Sequence, residues 1–139
     1  MALSNLASAY ANQAVNGMLA ATAPSAPGTL YLGINNPSTG ASVGASEITS
    51  YSGTRPAITF AAASAGNLYL SSTVTFTLTA NITSGTAGYF YFSIWTAASG
   101  GTCICQGATN LTGTINSGNA ITFSGTSSSS AGIIISVQG

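Results

Sequence analysis

The chain has 139 residues, one basic side chain, one acidic side chain, no histidine and a formal net charge of zero. That length suits a single core-forming domain, and a charged fraction of 1%, against about 25% in ordinary proteins, excludes whole classes of function. One arginine cannot displace the counterions that a nucleic-acid binder releases, a membrane-surface helix lacks its lysines, and catalytic or metal chemistry lacks its histidines and paired carboxylates.

The composition therefore predicts a protein that is no enzyme, holds no cofactor or metal, and has neither nucleic acid nor membrane as partner. Solubility rests on Ser, Thr, Asn and Gly. A net charge of zero removes the repulsion that keeps free monomers apart, so the chain reads as a permanent part of a larger assembly.

In chain order, Leu3, Leu6, Tyr10, Ala14 and Met18 recur at spacings of three and four, which predicts a helix over residues 3–20 that ends before Pro24 and Pro27. Residues 1–23 thus form an N-terminal helical arm. The stripe of Leu3, Leu6, Tyr10 and Met18 is the candidate interface, either with a neighbouring subunit or with one end of the β core. Ala21-Thr22-Ala23 has the small-x-small form of a cleavage site. No basic residue stands near Met1, however, and polar residues interrupt the apolar run, so the segment reads as part of the mature chain. No stretch reaches the ~18 apolar residues of a membrane span.

From Gly28 the period changes to two. Leu30, Leu32 and Ile34 share a face, with Tyr31 opposite. A polar loop follows, and residues 47–51 and 55–60 then flank a turn at Ser52-Gly53-Thr54. In residues 72–79, Val74, Phe76 and Leu78 alternate with threonines, the mark of a half-buried antiparallel strand. Residues 88–95 carry Phe90, Phe92 and Ile94 on one face and Tyr89, Tyr91 and Trp95 on the other, so both faces of this central strand are covered. Residues 102–107 return beside it after the turn at residues 98–101. Residues 111–115 and 119–124 read as a hairpin around Asn116-Ser117-Gly118, and residues 132–137 as the last strand. The fold predicted for residues 24–139 is all-β, a two-sheet antiparallel β-sandwich of about eight short strands with one N-terminal helix before it.

Three constellations stand out. Glu47 and Arg55 flank a turn, and as the only two charges they read as a structural ion pair within one subunit, the alternative being a contact to a partner subunit. Tyr89, Tyr91 and Trp95 form a candidate aromatic face, either a platform on which sugar rings stack or packing between two sheets. Cys103 and Cys105, at i and i+2 of a strand, point to one face in a geometry that disfavours a disulfide. They read as small buried thiols of a protein made in a reducing cytoplasm.

The motifs also carry a resemblance. Met-Ala-Leu-Ser-Asn at the start, Gly28-Thr29-Leu30-Tyr31-Leu32-Gly33, Glu47-Ile48 with Tyr51 and Arg55, and Ile58-Thr59-Phe60 come in order. Tyr89 to Gly101, Leu111-Thr112 and Ile115 to Phe123 follow. In this order the sequence resembles small tailed-phage virion proteins that go by the labels tail fibre, minor tail or capsid decoration. It departs from them at Ile34-Asn35-Asn36-Pro37, where a Phe-Thr-Asp-like segment is usual, and in having Ser and Asn where they have acidic residues. The resemblance implies a virion protein assembled in the host cytoplasm. Its leading form is a capsid decoration (cement) protein that clamps the shell through apolar and neutral hydrogen-bonded contacts. Its partners would be the major capsid protein or a neighbouring virion protein, and further copies of itself as a homo-oligomer, with a trimer suited to threefold positions. The alternative is a tail or fibre component binding a host-surface glycan.

Overall fold

β-Branched and aromatic residues between glycine-rich turns favour pleated, half-buried strands. A computed structural model describes residues 5–6, 28–61, 67–124 and 134–136, and every pairing between strands in them is antiparallel. The strands are β1 (Asn5–Leu6), β2 (Leu30–Asn35), β3 (Ala57–Ile58), β4 (Asn67–Tyr69), β5 (Val74–Thr77), β6 (Ile82–Thr83), β7 (Tyr91–Trp95), β8 (Cys103–Ala108), β9 (Thr114–Ile115), β10 (Ala120–Phe123) and β11 (Ile134–Ser136). Where the sequence predicts two sheets, these strands form one five-stranded sheet, in the order β1-β8-β7-β2-β3, and three two-stranded ladders, β10-β5, β11-β4 and β6-β9.

One side of the five-stranded sheet faces the core. Leu32 opposes Ile94 and Ile34 opposes Phe92 across β2 and β7, and all four are buried with Phe90 and Cys105. The ladder β10-β5 brings Val74, Phe76, Ile121 and Phe123 into the same cluster. Phe76 is packed edge-on by Tyr51 at 4.9 Å and by Phe123 at 6.0 Å between ring centroids, the arrangement that the ring quadrupole favours. The alternation read from residues 72–79 appears directly: Val74 and Phe76 are buried, and Thr75 and Thr77 are exposed.

Several expectations are corrected. The helix over residues 3–20 lies almost wholly outside the described residues. The two that are described, Asn5 and Leu6, form strand β1, paired with Gln106 and Cys105 of β8. The physical reason is the edge of β8, whose buried backbone groups need partners. Residues 111–115 and 119–124 do not pair with each other. The turn is present, with Asn119 N–H donating to Asn116 C=O and Gly118 at φ 83°. It carries the chain from β9, on β6, to β10, on β5. Residues 47–51 and 55–60, on the two sides of the turn at residues 52–54, both lie along one edge of β2: Glu47 bridges Asn35 at one end and β3 pairs with Leu30 and Tyr31 at the other.

The cysteines do not share a face. The register of β7 with β8 shifts between Ile94 and Trp95, so Cys105 opposes Ile94 while Cys103 opposes Trp95. Adjacent residues of β7 point to opposite sides. The bulge therefore sends Cys105 into the apolar core and leaves Cys103 on the other face.

Candidate functional site

The second face of the five-stranded sheet is built from residues that alternate with the core positions. On β7 these are Tyr91, Ser93 and Trp95, on β2 Tyr31, Gly33 and Asn35. The segments along the edge of β2 fold over them. Glu47 and Arg55, which approach from the two ends of that edge, meet above Gly33.

Arg55 and Glu47 form a two-pronged salt bridge, Nε–H donating to Glu47 Oε1 and Nη2–H to Oε2 at 2.6 Å. Nη1 donates to the carbonyls of Ala97 at 2.8 Å and Gly100 at 2.7 Å. Four of the five guanidinium N–H groups thus have fixed acceptors, the fork geometry that lysine cannot copy. The guanidinium also lies 3.7 Å from the centroid of the Trp95 ring, a cation–π contact in a desolvated setting. The Arg55 side chain is 5% exposed and that of Glu47 18%.

A second chain of bonds runs beneath the ion pair. Trp95 Nε1–H donates to Ser93 Oγ at 2.7 Å, the Ser93 hydroxyl donates to Asn35 Oδ1, and Asn35 Nδ2–H donates to Ala45 C=O at 3.0 Å. Beside it Gly44 N–H donates to Gln106 Oε1 at 2.8 Å. Ser93, Asn35 and Gln106 are buried, and these bonds are what makes their burial affordable. Gly33 has no alternative here, since a Cβ would stand 2.7 Å from Ser93 Oγ and 2.8 Å from Trp95 Nε1. Glycine within a strand marks such a close approach.

The aromatic face is divided. Trp95 is buried beneath Arg55, Tyr91 is half-buried, and Tyr89 stands out at 44% exposure. Of the candidate interface, Leu6 lies on β1, and Leu3, Tyr10 and Met18 lie outside the described residues. Cys103 and Cys105 are free thiols. Burial pushes Cys103 up to about 11, and burial together with the neighbouring Cys103 pushes Cys105 up to about 12, so neither is a thiolate near neutrality. Burial, with Glu47 adding to it, also raises Tyr51. Among the described residues there is no group of three potential metal ligands and no helix long and apolar enough to cross a membrane.

Sequence reasoning missed Asn35, Ser93, Gln106 and the contact of Arg55 with Trp95. The available signal was the pattern of Gly33, Asn35 and Ser93 at strand positions in step with Trp95, a row of small and polar residues where a strand covered on both sides calls for apolar ones.

Over the described residues the fold is all-β and antiparallel, and the two charged side chains bind each other inside the subunit. A match to a family model identifies the chain as a tailed-bacteriophage virion protein. The model, podophage GP4 fiber I protein gp80, covers residues 5–129, and the chain belongs to that family. No curated protein matches it.

Proposed function

We propose that this chain is a non-enzymatic structural component of the virion, of the fibre class, which associates through uncharged contacts. The observation that carries the reading is the internal pairing of Arg55 with Glu47. It leaves the exposed positions among the described residues uncharged, most of them hydroxyl, amide or glycine residues. Across the ladders, Thr75 meets Thr122 at 3.2 Å and Thr83 meets Thr114 at 3.0 Å, all exposed. A surface of this kind associates by shape, neutral hydrogen bonds and apolar burial, and its lack of net charge favours association over free monomers. The family name supports the fibre class over capsid decoration, for which the same neutral surface also speaks. The ladders and the large sheet around one core support a β-sandwich architecture. A homo-oligomer, with a trimer as the expected order, and a neighbouring virion protein as the docking partner complete the reading, with assembly in the host cytoplasm.

Antibody labelling of purified particles in the electron microscope, combined with a count of copies per particle, tests this. Label on tail fibres with few copies is expected. Label spread over the shell with hundreds of copies would replace the fibre assignment by capsid decoration. Absence from washed particles would overturn both.

A further inference from the structure

Two loops meet at the start of β7, where Asn35 of β2 pairs with Tyr91. Gly88 N–H donates to Gly85 C=O at 2.9 Å, and Gly88 at φ 87° turns the chain so that Tyr89 projects outward. Facing it, the loop of residues 37–41 is closed by Ala41 N–H donating to Ser38 C=O at 3.1 Å. The two loops are fastened to each other: Asn36 Nδ2–H donates to Thr83 C=O at 3.1 Å and Thr39 N–H to Thr86 Oγ1 at 3.3 Å. Gly85 lies so close to the carbonyl oxygens of Asn36 and Pro37 that no side chain fits between them.

Between the loops lies an open cleft of about 270 Å³, lined among others by Pro37, Ser38, Thr39, Tyr89, Tyr91 and Gln106. The two tyrosine rings are 6.4 Å apart and inclined by 52°. Gln106, 2% exposed and held by Gly44 N–H, anchors the floor. The walls are therefore formed before any ligand arrives, which lowers the ordering cost of binding.

We infer that this cleft binds the terminal ring of a neutral glycan. A pyranose presents one apolar C–H face and a rim of hydroxyls. The exposed ring of Tyr89 is a flat apolar partner for the first, and the hydroxyls of Ser38 and Thr39 can both donate to and accept from the second. The volume lies near the lower end of small-ligand pockets, about 300 Å³, which suits one ring rather than an extended chain. The lining carries no charge, and the single cation of the chain is buried against Glu47. An acidic sugar or a nucleotide would give up water around its anion with no cation to replace it. The site extends the fibre reading to a ligand class. It is tested on the isolated chain, so its failure and a change of virion location remain separate results.

The experiment is saturation-transfer NMR on the full-length chain with methyl glycosides of glucose, galactose, mannose and N-acetylglucosamine, and with N-acetylneuraminic acid as the anionic arm. At least one neutral glycoside is expected to bind. Tyr89→Ala should weaken it by about tenfold, the scale of one lost aromatic contact. Tyr89→Phe should keep it, and Thr75→Ala, outside the cleft, should leave it unchanged. Exposure of Tyr89 keeps these replacements compatible with folding, which circular dichroism checks. Binding of none of the neutral glycosides, equal binding by Tyr89→Ala, or binding of the acidic sugar alone would overturn the inference.

Discussion

The two sides of β7 solve the same burial problem with opposite chemistry. Phe92 and Ile94 fill an apolar core shared with β2 and the β10-β5 ladder. Ser93 and Trp95, their neighbours in sequence, lie among directed bonds that run to Asn35 and Ala45, with the Trp95 ring under the Arg55 guanidinium that pairs with Glu47. The first side depends on volume and accepts shape-conserving replacements. The second depends on the identity of each donor and acceptor, because a buried polar group that loses its partner retains its full desolvation cost. In a chain with two charges, that second side also decides what the outer surface lacks.

The largest expected effect comes from breaking the ion pair. Arg55→Met leaves the Glu47 carboxylate and the Ala97 and Gly100 carbonyls without their donor, and should cost about 3–5 kcal/mol in denaturant unfolding. Adding Glu47→Gln should recover part of the loss. Additive costs in the double-mutant cycle would show that the two groups act independently. Next comes Gly33→Ala, which pushes a methyl group against Ser93 and Trp95 and should destabilise by about 1–3 kcal/mol. On the apolar side Ile94→Leu, at conserved volume, should cost less than about 1.5 kcal/mol. An equal cost for these two replacements would erase the contrast between the faces.

Alkaline pH probes both faces together, through one thiol on each. A raised thiol keeps its proton in the native state where the unfolded chain has lost it. The stabilisation is complete below the free thiol value near 8.5 and declines as pH rises toward about 11 for Cys103 and about 12 for Cys105. By pH 10, about 1.5 units above the free thiol value, each thiol should have withdrawn about 2 kcal/mol. Urea midpoints between pH 8 and pH 10 measure the slope, and the double replacement of Cys103 and Cys105 by Ala should flatten it. An unchanged slope would place the sensitivity elsewhere.

The apolar face was legible in the sequence and the polar face only in outline. Val74, Phe76 and Leu78 betray β5 because period-two alternation acts within one strand. Aromatic residues on both sides of residues 89–95 likewise mark a central strand. What a single strand does not encode is its partner. The turn at residues 116–118 is readable from its Asn and Gly, yet it joins two ladders instead of closing a hairpin. The bulge opposite Ile94 and Trp95 separates Cys103 from Cys105, and no spacing rule announces it. Helical periodicity in residues 3–18 gives no hint that Asn5 and Leu6 cover the edge of β8, since that depends on a strand about a hundred residues away. Glu47 and Arg55 were conspicuous by their scarcity, whereas the roles of Trp95, Ser93 and Asn35 follow only from pairing register.

The smallest predicted effect bears on the central claim, that this virion protein associates through uncharged contacts because its charges are paired within the subunit. Salt screens exposed charges strongly, with a Debye length of about 3 Å at 1 M, and leaves neutral contacts intact. Purified particles washed in low and in molar sodium chloride, followed by quantification of this chain in pellet and supernatant, give the measurement. The account predicts the same amount on the particles in both washes. Release of folded chain by salt alone would contradict it.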